Sequence, residues 1–434
     1  MTGTIVTENG TCLGCGCACD DIDVVVSAGR IAEARNACPL GRAWFGDGNV
    51  PLRCVVNARD VMPEEALRVA TDRLSRAKRV LVYLAPGLSC EAQRAGTAIA
   101  DLLGGVVDSA TSATALHQTL ASQERGFASS TLGEIRNRAD VMLLWAVDLD
   151  RRYPRFSARY GPDAVGIFVP DGRRSRRVIA VDVGDAATGR VDTDRRFTVA
   201  PAAEVATLTA LAGLVAHGSR APTTSAPDGG TVWSVASDLA EILRAGRYVA
   251  FVYDAEPDER AARSNGRFDA LAAVAQALND TTRCAAVALR AGGNRSGADA
   301  ILTAQTGYPM AVDFARGFPR YRPHDGSAFV RLRSREVDAV LVLGDAALIP
   351  PGVVEGMTDV ASRVVVGPRA SEFALGSDAA IDTGVPGIHS AGTALRTDDV
   401  PLPLRPCLSG PPSVDAVTAQ LVELLAARGR RGVA

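Results

Sequence analysis

Five of the nine cysteines lie within the first 38 residues, and their spacing is typical of a metal centre. Cys12, Cys15 and Cys19 follow the pattern C-x2-C-x3-C, and Cys38 adds a fourth thiol after the next predicted strand and turn. Two residues between the first thiolates, in a glycine-rich loop, let the backbone wrap a cube of iron and sulfide. Since a [4Fe–4S] cluster needs four thiolates, the sequence predicts such a cluster on these four residues.

Two alternatives to the cluster stay open from spacing alone. A tetrahedral zinc site usually pairs two close C-x-x-C knuckles, whereas this segment has one. The other alternative is a set of cysteines that persists without metal. The fifth residue of the group, Cys17, is interpreted as a small buried side chain beside the cluster, and Asp20 and Asp21 as turn and capping residues.

Beyond the cysteines, short β-branched runs alternate with longer stretches rich in alanine and leucine. The runs predict buried strands at residues 79–84, 141–147, 178–183, 248–253, 284–289, 337–343 and 363–366. The stretches predict helices at residues 63–76, 91–103, 202–216, 267–278 and 414–427. Because such alternation implies right-handed crossovers, we expect an α/β fold with Rossmann-like, doubly wound parallel sheets. Residues 218–230, rich in Ser, Thr, Pro and Gly, are predicted to form a polar loop.

Composition excludes several classes of protein. Apolar residues make up 47% of the chain and charged residues 22%, which is ordinary for a globular protein. The net charge of −2 supports neither a nucleic-acid partner nor a membrane surface. No run approaches the roughly 18 apolar residues that span a bilayer, and the short polar start is unlike a secretory signal. We therefore expect a cytoplasmic protein.

Three longer segments resemble one known family. They read GEIRNRAD at residues 133–140, RAGGNRSG at residues 290–297 and TGYPMAVDFARGFPRY at residues 306–321. Together with the cysteine motif they are similar to the B subunit of formylmethanofuran dehydrogenase, in the molybdopterin/tungstopterin formate dehydrogenase superfamily. The resemblance covers essentially the whole chain. It implies a small lobe at residues 1–56, a discontinuous α/β domain at 57–130 and 290–434, and an inserted Rossmann-like domain at 131–289.

The family's metal-binding position is where this sequence departs from the pattern. Active relatives hold molybdenum or tungsten through a cysteine followed by a histidine; aligned without gaps, these fall on Thr114 and Ala115. A threonine hydroxyl is a hard, high-pKa donor and a poor substitute for a thiolate, and alanine cannot move a proton. His117 is interpreted as a satisfied histidine of the surface or the core. The resemblance assigns weak cofactor-binding roles to Arg290, Asn294 and Gly297, with Arg290 also a catalytic candidate.

The resemblance therefore implies a complex without redox chemistry at this subunit. A bacterial branch of the family is a formyltransferase/hydrolase complex, which moves formyl from formyl-tetrahydromethanopterin to a methanofuran-like carrier and releases formate. We expect a catalytically silent scaffold that lacks the pterin and binds hydrolase, formyltransferase and C subunits. Two alternatives remain: an active dehydrogenase with a molybdenum or tungsten pterin, and an iron–sulfur electron-transfer module. The arginines at 173, 174, 176 and 177 are interpreted as a solvated loop rather than an anion site.

Overall fold

The computed structural model describes residues 4–186, 188–218, 229–257 and 264–431. The strands, in chain order, are β1 Ile5–Gly10, β2 Ile22–Ser27, β3 Arg30–Arg35, β4 Cys54–Val56, β5 Arg59–Asp60, β6 Val80–Leu84, β7 Val106–Ser109, β8 Val141–Trp145, β9 Arg177–Val183, β10 Arg195–Val199, β11 Tyr248–Asp254, β12 Arg283–Leu289, β13 Val312–Asp313, β14 Arg320–Tyr321, β15 Ala339–Leu343, β16 Ser362–Gly367, β17 Ala379–Asp382, β18 Gly392–Leu395 and β19 Pro401–Leu404. Most of the predicted polar loop at residues 218–230 lies outside the described residues.

The helices alternate with these strands. They are α1 Pro39–Phe45, α2 Pro63–Arg76, α3 Cys90–Leu102, α4 Thr111–Thr114, α5 Leu116–Arg125, α6 Leu132–Arg138, α7 Leu149–Arg152, α8 Phe156–Arg159, α9 Glu204–His217, α10 Gly229–Arg244, α11 Asn265–Asn279, α12 Arg295–Thr306, α13 Ala328–Arg333, α14 Pro351–Gly356 and α15 Val414–Arg431. None of the helices in the described ranges is both long and apolar enough to cross a membrane.

The chain divides into two compact units. Unit 1 comprises residues 1–114 and 291–434, and unit 2 comprises residues 115–290. The three-part division expected from the resemblance, with a separate lobe at 1–56, stays a prediction.

Unit 1 contains a nine-stranded sheet in the order β14-β13-β7-β6-β15-β16-β17-β4-β5. Its five central strands, β7 to β17, are parallel, and the outer strands pair antiparallel to them. Helices α2, α3, α12 and α15 cover one face, where Leu74, Ile99 and Leu421 are buried. Helices α13 and α14 supply Leu332 and Val353 to the other. Burial on both faces explains why these strands are continuously apolar.

Two smaller sheets complete unit 1. Strands β1, β2 and β3 form an antiparallel sheet, and β18 pairs antiparallel with β19. The cysteine motif occupies the β1–β2 connection and the turn after β3.

Unit 2 is built on a five-stranded parallel sheet in the order β10-β9-β8-β11-β12. Helices α9, α10 and α11 contribute Leu211, Leu239 and Leu271 to its core, against Trp145 and Phe251 of the sheet. Both large sheets therefore confirm the expected α/β fold class.

Candidate functional site

The loop between β1 and β2 carries three of the four predicted cluster ligands. The Cys12 N–H donates to the Cys19 carbonyl at 2.8 Å, which closes the loop, and the Ala18 N–H donates to the Cys15 carbonyl at 3.1 Å. Ala18 takes a left-handed conformation with φ of 38° to complete the turn. Cys38 enters from the other side as the residue before α1. The fold therefore brings the two parts of the motif to one place.

The thiols of this motif are close enough to influence one another. A Cβ built on Gly41 would lie 3.2 Å from the Cys12 sulfur and 3.9 Å from the Cys38 sulfur, so only glycine fits between them without displacing a thiol. The Gly14 N–H donates to the Cys12 sulfur at 3.3 Å. Burial raises the pKa of Cys12, and the neighbouring thiolates of the motif raise it further. An assembly of buried thiolates needs positive charge to form.

The thiols are not arranged around a single ion. Among the described residues, no three His, Cys, Asp or Glu side chains are positioned to hold one metal ion. A [4Fe–4S] cluster instead distributes four thiolates over the irons of a cube, and the number and type of donors here suit it. Cys17 is buried within the same loop, as its interpretation as a packed residue requires.

The glycine-rich segment after β12 is held between the cysteine loop and the β6–α3 connection. The Gly293 N–H donates to the Leu13 carbonyl at 2.9 Å, and its own carbonyl accepts from the Gly87 N–H at 2.8 Å. A Cβ on Gly292 would lie 2.2 Å from the Leu13 carbonyl oxygen, so this backbone approach requires glycine. The segment is thus a rigid spacer next to the predicted cluster ligands.

Asn294, predicted to bind a cofactor, is buried and works as a connector within unit 1. Its side-chain nitrogen donates to the Leu88 carbonyl, and its side-chain oxygen accepts from the Leu395 N–H, both at 2.8 Å. Its φ of 58° is left-handed, a conformation that Asn tolerates better than most residues. Gly297 packs against it: a Cβ there would lie 2.2 Å from the Asn294 side-chain oxygen. Both residues hold the start of α12 in place.

Thr114 and Ala115, at the family's metal-binding position, lie at the junction of α4 and α5. The Thr114 hydroxyl donates to the Ala110 carbonyl at 2.9 Å and accepts from Nη1 of Arg295 at 3.2 Å. Ala115 is buried and has no group that can transfer a proton. His117 lies in the first turn of α5. The position that would ligate a metal is therefore occupied by a hydroxyl with two protein partners.

Arg290 directly follows β12 in unit 2 and is part of a buried charge network. Its Nε lies 2.5 Å from a carboxylate oxygen of Glu256, and Arg152 pairs with Asp254 at 2.6 Å. Both carboxylates follow or end β11, so the network occupies the carboxyl ends of adjacent parallel strands. This is the edge at which open α/β sheets bind ligands.

A cleft of about 550 Å³ in unit 1 adjoins the cysteine loop. Residues that line it include Leu13, Trp44, Arg295, Asp345, Arg369 and His389. His389 is held in a neutral form: Nδ1 accepts from the Val385 N–H at 3.1 Å, so Nε2 donates to the Gly48 carbonyl at 2.8 Å. Burial lowers the pKa of His389, while the bond to Gly48 opposes that shift. The cleft offers a polar, partly charged surface of the size that small-molecule ligands need.

Comparison with known proteins shows which proteins this chain is similar to. No protein-family model matches the chain. Two archaeal proteins, the B subunits of tungsten-containing formylmethanofuran dehydrogenase 2 from Methanocaldococcus jannaschii and Methanococcus maripaludis, are each 28% identical to it. Each alignment covers 94% of this chain and 95% of the relative. The chain is therefore similar, over nearly its full length, to two formylmethanofuran dehydrogenase B subunits.

Solved structures agree with this relationship at the level of the fold. This chain superposes on a chain of the formyltransferase/hydrolase complex from Methylorubrum extorquens, solved with methylofuran, with a TM-score of 0.72 and 20% identity. The match covers 87% of this chain and 99% of that one. Acetylene hydratase from Pelobacter acetylenicus matches over 97% of this chain and 70% of its own, with a TM-score of 0.58 and 11% identity. The fold is that of molybdopterin oxidoreductases.

The cleft was not predicted from the sequence. Asp345 follows β15 and Arg369 follows β16, so a polar residue directly after a predicted buried strand was the available signal. His389 carried no such signal, since its position depends on the loop after β17. The arginine group also differs from expectation: Arg173 pairs with Asp192 and Asp194, each at 3.1 Å, and Arg176 is buried instead of solvated.

Proposed function

We propose that this chain is a non-redox, catalytically silent scaffold subunit of a formyltransferase/hydrolase complex. The complex would move formyl from formyl-tetrahydromethanopterin to a methanofuran-like carrier and release formate. Thr114 is the observation that carries the proposal. Where the family's metal-binding thiolate is expected, its hydroxyl is engaged by Ala110 and Arg295. A threonine hydroxyl is a hard, high-pKa donor and a poor replacement for a thiolate, and we infer that the pterin is absent.

The comparisons support the proposal without deciding between redox and non-redox chemistry. The Methylorubrum chain belongs to a formyltransferase/hydrolase complex, and nearly its full length superposes on this chain. We infer partners of the same kind, namely hydrolase, formyltransferase and C subunits, and a cytoplasmic location. The chain would supply a rigid platform and a docking surface for the carrier, while its partners supply the catalytic residues.

The second candidate is an active dehydrogenase subunit with a molybdenum or tungsten pterin. The similarity to B subunits of two tungsten-containing dehydrogenases favours this candidate, and so does the open cleft of about 550 Å³ beside the cysteine loop. The third candidate, an electron-transfer module, draws on the cysteine motif alone. We propose that Cys12, Cys15, Cys19 and Cys38 hold a [4Fe–4S] cluster in all three cases; such a cluster can transfer single electrons.

Thr114→Ala distinguishes the scaffold from the dehydrogenase. The complex would be purified anaerobically from the source organism through a tag on this chain, and formate release measured from formylated carrier. We expect the variant to retain activity within about twofold, because no reacting group is removed. Thr119→Ala is the matched control, since the Thr119 hydroxyl makes the same bond to a carbonyl four residues earlier, Ala115, at 3.0 Å.

Two results would overturn the scaffold proposal. One is a loss of formate release of tenfold or more in Thr114→Ala, but not in Thr119→Ala, from a complex that stays assembled. The other is one molybdenum or tungsten per chain in the wild-type complex, together with formylated-carrier oxidation coupled to a viologen dye.

A further inference from the structure

A loop in unit 2, residues 163–169 between α8 and β9, presents three large apolar side chains to solvent. Ile167 is 76% exposed, and Val165 and Phe168 are each 57% exposed. Together they expose roughly 300 Å² of apolar surface, which matches the largest patch on a typical monomer and is often functional. Isolated exposed hydrophobic residues are ordinary, but three within four positions are not.

The buried side chain of Arg176 holds this loop in shape. Its Nε donates to the Ala139 carbonyl at 3.0 Å. Its Nη1 donates to the Pro162 carbonyl at 3.1 Å and also to the Ala164 carbonyl. Its Nη2 donates to the Arg136 carbonyl at 2.6 Å. Burial lowers the pKa of Arg176 to about 10, so the guanidinium remains charged at neutral pH. A charge that satisfies four carbonyls fixes the backbone on both sides of the loop.

The tip of the loop is also tied to helix α6. The Phe168 N–H donates to the Asn137 carbonyl at 2.9 Å, and the Ile167 N–H donates to the Asn137 side-chain oxygen at 3.2 Å. A Cβ on Gly166 would lie 2.1 Å from the Arg136 carbonyl oxygen, so the backbones are in direct contact. A loop already ordered before binding loses little conformational entropy when it docks.

Two exposed arginines surround the base of the apolar tip. The Arg136 Nε donates to the Val165 carbonyl at 3.0 Å, and the Arg138 guanidinium lies 4.9 Å from the centre of the Phe168 ring. Arg138 Nε also lies 3.8 Å from a carboxylate oxygen of Glu134 in the same helix, and an arginine stacked on an aromatic ring keeps further N–H donors at its edge for a second carboxylate. Two arginines fall short of the clusters of roughly four to eight that bind anionic membranes, so a protein surface is the better match.

We propose that loop 163–169 is a docking plug that inserts into an apolar groove rimmed by carboxylates on another subunit of the same complex. This inference rests on the proposed function, since it needs a complex to join. Ile167 and Phe168 fill the groove, and Arg136 and Arg138 pair with the rim. Such a rigid aromatic and aliphatic centre with a charged border is the usual anatomy of a protein interface.

Ile167→Asp tests the plug, with Leu52→Asp as the matched control, because Leu52 is 71% exposed and lies in unit 1. Each tagged chain would be purified with its complex from the source organism, and subunit stoichiometry measured by native mass spectrometry at falling concentration. We expect Ile167→Asp to weaken retention of one subunit by at least tenfold, and Leu52→Asp to change it less than twofold. Both sites are exposed, so melting temperatures should stay close to wild type.

Each other outcome overturns the inference in a recognisable way. A complete complex with wild-type dissociation in Ile167→Asp refutes the plug and leaves the scaffold proposal standing. A wild-type chain that purifies alone overturns both. If Ile167→Asp instead converts a dimer of this chain into a monomer, the occupant is a second copy. If the wild-type chain binds phosphatidylserine vesicles and the Ile167→Asp chain does not, the occupant is a lipid surface.

Discussion

Replacing Asn294 by alanine removes the side chain that ties the β6–α3 connection and strand β18 to the start of α12. The Leu88 carbonyl and the Leu395 N–H each lose a partner at 2.8 Å. Each unsatisfied buried group costs about 1.5 kcal/mol, within the usual range. Alanine in the left-handed conformation adds about 1 kcal/mol relative to asparagine. The expected total is about 4 kcal/mol of local stability.

The Leu395 amide reports this loss directly, because its own N–H is the donor. Hydrogen exchange measured by mass spectrometry on the intact complex should show that amide exchanging about a thousandfold faster, at 1.4 kcal/mol per tenfold. Asn294→Gly is the control for backbone strain, since glycine adopts the same φ freely. A change of less than about tenfold in Asn294→Ala would mean that the side chain does not hold this junction.

Gly297→Ala tests the contact between residues 294 and 297. The substitution should lower the stability of α12 when residue 294 is Asn and raise it when residue 294 is Ala. In the wild type, the added Cβ meets the Asn294 side-chain oxygen, built at 2.2 Å, and should destabilise the start of α12. With alanine at 294 that space is empty, and alanine is preferred over glycine in a helix by about 1 kcal/mol. Protection of the α12 amides should therefore fall in the first background and rise in the second. Equal effects in both would refute the contact.

Two further predictions concern the cleft and the cysteines. The lowered pKa of His389 means that the unfolded chain takes up its proton first as the pH falls below the ordinary value of 6.5. The contribution of His389 to stability is therefore fully present above that value and declines below it. The melting temperature of His389→Gln should fall less than that of the wild type when the pH is lowered from about 7.5 to about 5.5. Equal falls in melting temperature would argue against a buried, neutral His389. Cys15→Ser should deplete iron from the anaerobically purified complex, against about four irons per chain in Cys17→Ala. Equal iron in the two variants would contradict the ligand set.

Much of the fold could be predicted because its central strands have a local signature. A strand covered on both faces is apolar throughout, and the runs at β6, β8, β11 and β15 show this within a few residues. The short strand β13 has no such signature: its two residues are strand because they pair with β7 on one side, where Val312 meets Val107, and with β14 on the other. Its neighbours Met310 and Ala311 are fully buried.

The site was predictable where the chemistry is local in sequence. The cysteine motif could be interpreted from spacing, since most of its members belong to one loop. The cleft could not, because Trp44 belongs to α1, whereas Asp345 and His389 belong to connections that come about 300 residues or more later in the chain. Arg176 gives the same lesson for a single residue: among four neighbouring arginines, no pattern shows which guanidinium turns inward to bind carbonyls.

Unit 1 consists of two sequence segments separated by unit 2, and this order affects folding during synthesis on the ribosome. All five strands of the unit 2 sheet emerge consecutively, so that sheet can pair as it is made. Strand β6 instead pairs with β15, where Val80 meets Ala339 about 260 residues later. At roughly 5 to 20 residues per second, β6 waits about 13 to 50 seconds with an apolar edge unpaired. Unit 1, and not unit 2, is therefore the part of the nascent chain that chaperones must shield from aggregation.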